Sequence, residues 1–342
     1  MVQPRGHRGR KEGPGAHSRA QAGGGVGHRR VPPQQGDPVG CLSRPYPPPR
    51  KPGGTREPPP ARRALSPGSL SAVLAAHGGS GLSADPVLFP HRFADRRDAE
   101  AAAFIAASFA FGNVAQILGF LERLFAVLGR SPHAALSGRR PLAFRRVAGL
   151  RHRFISPPGV HRFLVCLGAV LRGHGSLEEL YRAGMAREGG PRERLGRFLS
   201  RFRDAWGPGL ARERDFLFPD PAKGSACKRH NLFLRWMVRG PDGVDLGLWS
   251  VPAPRDLVVP LDTHMARLCR WMGLTARRAA DWNAAEEITA AFRAACPEDP
   301  VRYDFAITRI GILKACTAAR RGECAACSLS ALCFRRAGPP GN

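Results

Sequence analysis

The chain has 342 residues, with 53 basic against 27 acidic side chains, a formal net charge of +26 and a pI near 11.3. That length supports one large or two ordinary domains with a buried core, and no apolar run reaches the eighteen or so residues that would span a bilayer. The charge points to a polyanionic partner, discounted because the abundance of Ala, Arg, Gly and Pro is what a GC-rich gene would encode.

Residues 1–66 are rich in Arg, Pro, Gly and His, with scarcely an apolar residue, and include Pro47-Pro48-Pro49 and Pro58-Pro59-Pro60. Such a segment cannot bury enough surface to offset its ordering entropy, which predicts a disordered basic tail. A start codon assigned too far upstream would account for it equally well. A helical domain is expected over 67–315 and a cysteine loop over 316–336. Within Ala99 to Leu128, apolar residues recur at helical spacing (Phe104, Ala107, Phe111, then Ile117, Phe120, Leu121, Leu124), with a break at Gly112-Asn113. Further helices are predicted over 158–172, 177–185, 191–205, 226–239, 263–273, 284–295 and 302–316. Within the fourth of these, Phe233, Trp236 and Met237 read as core. Leu257 to Leu261 is the single extended candidate. The fold class is all-α.

Only five of the basic residues are lysines: Lys11, Lys51, Lys223, Lys228 and Lys314. Lysine, unlike arginine, can shed its proton and act as a nucleophile, so a lysine inside an ordered region calls for inspection. Asp262, in Val258-Val259-Pro260-Leu261-Asp262-Thr263-His264, stands where a helix N-cap belongs, and capping alone would explain it.

Nine cysteines without a leading apolar segment indicate a reducing cytosol, where cysteine clusters bind metals in preference to forming disulfides. Cys316, Cys324, Cys327 and Cys333 follow the spacing C-x7-C-x2-C-x5-C. Structural zinc sites usually pair two C-x2-C knuckles across a long spacer. A single C-x2-C flanked by two outliers is closer to a loop wrapped around a [4Fe–4S] cube, with zinc and a disulfide pair as the alternatives. Cys166, Cys227, Cys269 and Cys296 lie in apolar patterns as core thiols, and Cys41 falls in the tail.

The stretch from Pro260 to Cys333 resembles the C-terminal half of endonuclease III and its relatives, the helix-hairpin-helix DNA glycosylases with an iron–sulfur loop. The shared features are the Asp262-Thr263-His264 triplet, the basic helix after it, and a helix from Asp304 to Gly311 that leads into the cysteines. Phe104 to Phe125 is similar to that family's early helix pair. The phrases Phe233-Leu234-Arg235-Trp236-Met237 and Pro260-Leu261-Asp262-Thr263-His264 are also similar to an uncharacterised bacterial family of the same superfamily. The resemblance implies a helix-hairpin-helix glycosylase-like bundle acting on damaged double-stranded DNA as a cytoplasmic, nucleoid-associated monomer. It implies catalysis by Lys228 and Asp262, a [4Fe–4S] cluster (or zinc) on the four cysteines, and DNA contacts from Asn113, Arg229, His264 and Arg267. Two features depart from the family. The first cysteine gap is seven residues where the family has six. The family's Leu-Pro-Gly-Val-Gly hairpin, with a lysine just after it, is missing: the turn Gly240-Pro241-Asp242-Gly243 carries none, and Lys228 lies thirty-four residues before Asp262. A non-catalytic nucleic-acid-binding protein that keeps the fold and the cluster is the rival reading, and a zinc-stabilised helical module a third.

Overall fold

A computed structural model describes residues 65, 67–77, 85–312, 324 and 327–333. Among these are twelve α-helices and no strand, in agreement with the all-α expectation. In chain order they are α1 (Pro67–His77), α2 (Arg96–Ser108), α3 (Val114–Leu128), α4 (Pro132–Ser137), α5 (Pro157–His174), α6 (Leu177–Met185), α7 (Pro191–Trp206), α8 (Ala211–Leu217), α9 (Lys228–Val238), α10 (Thr263–Trp271), α11 (Trp282–Ala295) and α12 (Asp304–Ile312). The tail over 1–64 and Cys316 lie outside the described residues.

Most helix starts are written in the sequence as caps. Asp95, Asn113, Ser131, Ser156, Ser176, Asp262 and Asp281 each accept a hydrogen bond from a backbone amide two or three residues on, satisfying donors that a helix leaves open at its first turn. Pro132, Pro157 and Pro191 sit at the first helical position, where a missing N–H costs nothing.

Helix α2 is the hub. Phe104 has no exposure and its ring lies 4.7 Å from Phe202 of α7, 5.1 Å from Phe233 of α9 and 5.9 Å from Phe163 of α5. An alanine run beside it lets α9 and α4 approach closely. Buried charge ties the shell to this hub. Glu100, 4% exposed, accepts from the Leu177 and Glu178 amides at 2.9 and 3.0 Å and from Trp249 Nε1 at 2.7 Å. A carboxylate on α2 thus serves the open amides of α6.

Phe233, Trp236 and Met237 are buried as expected. The opposite face of α9 carries Arg235 and Arg239 into a cluster with Asp245, Asp299 and Asp304. That cluster fixes the turn after α9. Asp242 Oδ1 accepts from the Val244 and Asp245 amides, and a Cβ on Gly240 (φ 101°) would meet the Asp245 carbonyl oxygen at 2.7 Å. Leu257–Leu261 is extended but pairs with no strand among the described residues; the Val259 amide donates to Thr289 Oγ1 at 3.1 Å instead. Helices α4 and α8, six and seven residues long, were not anticipated. Both are too short to show a period and are held by packing on α5.

Candidate functional site

Lys228 is the first residue of α9, and Asp262 immediately precedes α10. The chain reaches α9 through Cys227, whose backbone is left-handed (φ 47°). Its carbonyl accepts from the His230 and Asn231 amides, and the Asn231 side chain donates to the Ala226 carbonyl at 3.0 Å. The approach is also pinned from outside, because the Trp282 amide of α11 donates to the Gly224 carbonyl at 3.0 Å. These bonds over-determine a strained entry and aim the Lys228 stem at α10.

The two residues meet. Lys228 Nζ lies 3.0 Å from Asp262 Oδ2, with the lysine side chain 36% exposed and the aspartate 15%. The other oxygen, Oδ1, accepts from the Met265 amide at 2.8 Å. One carboxylate therefore caps α10 and faces the lysine at once. Burial favours its neutral form, but Lys228, the Met265 amide and nearby His264 together outweigh it, and the carboxyl is held below its usual range. Asp262 is a fixed negative charge and a weak base.

Lys228 also lines a cavity of about 590 Å³. The wall includes Phe216 and Phe218, the cations Arg203, Arg214 and Lys223 and, one turn into α9, His230. His230 is 1% exposed and neither ring nitrogen is aligned for a hydrogen bond. Burial, with Arg229 and Arg203 nearby, holds its imidazole well below the usual range, so the ring is neutral. Burial likewise pushes the Cys227 thiol up to about 11, which leaves the amines of Lys223 and Lys228 on this wall, of which Lys228 faces Asp262.

The family described as protein of unknown function (DUF2400) matches residues 85–313, or 229 of the 342. The chain belongs to that family. No curated protein and no solved structure matches it. The DUF2400 match takes in Lys228, Asp262 and the cavity, and stops short of all four cysteines of the C-terminal array.

The remaining predicted contacts are scattered in this DUF2400 chain. His264 and Arg267 lie half-buried on the first turns of α10, with Arg267 Nη2 3.5 Å from His264 Nδ1 and its guanidinium over Trp271. Asn113 is exposed, but its side-chain oxygen caps α3 through the Ala115 amide at 2.9 Å. Arg229 requires a correction. It is buried, its guanidinium donates to the Ser108 and Phe216 carbonyls, and it lies 4.2 Å from the Phe216 ring. Those two bonds hold the cavity wall to α2.

Of the four predicted metal ligands, Cys324, Cys327 and Cys333 lie among the described residues. All three line one small apolar pocket against Leu268, Trp271 and Met272 at the C-terminal end of α10. Among the described residues no three His, Cys, Asp or Glu side chains are close enough to hold a metal ion by themselves. The donor set is all thiol with no competing carboxylate in the pocket, which fits a thiophilic centre in kind. Sequence reasoning missed Phe216 and His230, because a cavity wall assembled from the end of α8 and the first turn of α9 has no linear spacing to detect.

Proposed function

We propose that this protein is a DNA base-excision enzyme, a glycosylase with strand-nicking lyase capacity, that works at Lys228 and Asp262. The observation that carries the reading is the 3.0 Å approach of two residues thirty-four positions apart, one of which, Lys228, lines a cavity large enough for a nucleobase. Cleavage of an N-glycosidic bond develops positive charge on the sugar, and a carboxylate kept ionised beside it lowers that barrier. Asp262, held below its usual range, suits this role better than that of a base. The Lys228 amine, once deprotonated and turned from Asp262, would attack the anomeric carbon, form a C–N bond as the base leaves with its electron pair, and give a Schiff base after ring opening. The base would reach the cavity by leaving the stack, at a cost of a few kcal/mol. No helix among the described residues is long and apolar enough to cross a membrane, so this reading asks nothing of a bilayer.

Cys324, Cys327 and Cys333, with Cys316, would hold a [4Fe–4S] cluster, or zinc in its place. Such a group bound there would brace the C-terminal segment against α10, the helix whose first turn Asp262 caps.

The test is borohydride trapping across a panel of lesion-containing duplexes. Wild type should give a covalent complex on at least one duplex, and Lys228→Gln and Lys228→Arg should both give none while still binding DNA, because a guanidinium keeps its proton. Full trapping by Lys228→Arg would reduce Lys228 to a phosphate contact and assign the nucleophile to another amine, whereas a wild type that traps on no duplex would leave the protein a binder.

A further inference from the structure

The sequence lacks the glycine hairpin of the glycosylases it resembles, and the structure offers a surface of its own for holding a polyanion. Between Glu122 and Glu178 there are 55 residues with ten arginines and no Asp or Glu. With 27 acidic residues in 342, a stretch of that length would carry about four at the chain's average. The asymmetry is concentrated between α4 and α5, a segment built of turns. Leu142, Val147, Leu150, His152 and Ile155 are buried, so the segment is stapled to the core every few residues. Between the staples, Arg139, Arg140, Arg145, Arg146, Arg151 and Arg153 are exposed, and none of them pairs with a carboxylate among the described residues.

Its second half is fixed at two points. Arg146 donates to the Val127 carbonyl near the C-terminal end of α3. His152 Nε2 lies 2.9 Å from the Phe111 carbonyl oxygen, and the Arg153 stem covers Gly112, just before the start of α3. The stretch from Arg146 to Arg153 thus runs back along α3, whose 15 residues span about 22 Å at 1.5 Å per residue. That is the rise of about six base pairs of duplex. It ends at the candidate active site, because Phe154, 40% exposed, packs edge-on against Phe216 at 4.7 Å, and Phe216 is part of the cavity wall with Lys228.

We infer that this arginine ribbon is the protein's duplex-binding surface, gripping the phosphate backbone of DNA and leading it to the Lys228–Asp262 cavity; the inference rests on the nucleic-acid reading above. Guanidiniums that face no carboxylate bind phosphates by releasing counterions, and Arg suits phosphate by its forked donors. A membrane fits less well. Phe144 and Phe154 are the only large exposed hydrophobics on the ribbon, and they stand ten residues apart instead of forming a continuous apolar face.

The test measures fluorescence anisotropy of a labelled duplex of about 20 base pairs with the full chain across a salt series. One variant carries Arg140→Gln, Arg145→Gln, Arg151→Gln and Arg153→Gln. A charge-matched control carries Arg97→Gln, Arg187→Gln, Arg201→Gln and Arg278→Gln, all exposed and outside the ribbon. The ribbon variant should lose at least tenfold in affinity, and its plot of log Kd against log salt should flatten by about 3.6, as expected for four lost phosphate contacts; the control should flatten by less than one. Equal flattening in both would overturn the inference in favour of diffuse charge. Unchanged duplex binding in the ribbon variant, with lost binding to phosphatidylserine vesicles, would overturn it in favour of a membrane. The catalytic reading fails separately: a wild type that binds duplex through the ribbon but never traps leaves this surface standing. A wild type that traps, with a ribbon variant of unaltered salt slope, removes the surface alone.

Discussion

Replacing Asp262 with Asn separates the two tasks of one carboxylate. Oδ1 caps α10 through the Met265 amide and Oδ2 faces Lys228. Asparagine keeps an acceptor for the cap, at a cost of a few tenths of a kcal/mol. It loses the ion pair, but Lys228 is more than a third exposed and stays hydrated, so that loss is at most about 1 kcal/mol. The summed effect is about 1 kcal/mol, a fall of roughly 2–4 °C in Tm for a domain this size. Asp262→Ala also gives up the cap and should cost about 1 kcal/mol more. The pH dependence follows from the direction of the shift. Because the folded carboxyl is held below its usual range, the stabilisation is present above the unfolded value of about 3.9 and is lost as pH falls through the lower folded one. The gap between wild type and Asp262→Asn should therefore be flat from about pH 8 to pH 5 and close only below about pH 4. Denaturant titrations at several pH values measure this. Catalysis should respond on another scale, with single-turnover base release on the best-trapping duplex falling by about 10²–10³. If Asp262→Asn released base within threefold of wild type, the carboxylate would be a cap and nothing more.

Anaerobically purified protein should be brown, with a shoulder near roughly 400 nm, and Cys324→Ser or Cys327→Ser should bleach it; colourless protein with one equivalent of zinc would replace the cluster by the alternative metal. Phe104→Ala, which empties a fully buried site between three rings, should cost about 3–5 kcal/mol in chemical denaturation. Glu100→Ala leaves two α6 amides and the Trp249 indole without their acceptor and should cost about 3 kcal/mol, with lost protection of the Leu177 and Glu178 amides in hydrogen exchange.

Much of the helical layout was legible in the sequence because it depends on local chemistry. The cap at Asp262, the break at Gly112-Asn113 and the spacing of apolar residues through α3 act within a turn or two, and need no knowledge of the rest of the chain. The sequence also singled out Lys228 and Asp262, one by the scarcity of lysine and the other by its motif, but could not say whether they meet. That was decided by the strained entry at Cys227 and by the bond from Trp282 of α11 that pins Gly224 before it, contacts between residues far apart in the chain. The same holds for Arg229, whose charge suggested a DNA contact until its burial beneath Phe216 showed where its donors go. It holds again for the arginines between α4 and α5, whose composition records only charge. Their alignment along α3 comes from the buried residues between them and from Phe111, Gly112 and Val127 on other parts of the chain. Periodicity and capping are properties of a segment, whereas a site is a set of distances that only the folded chain fixes.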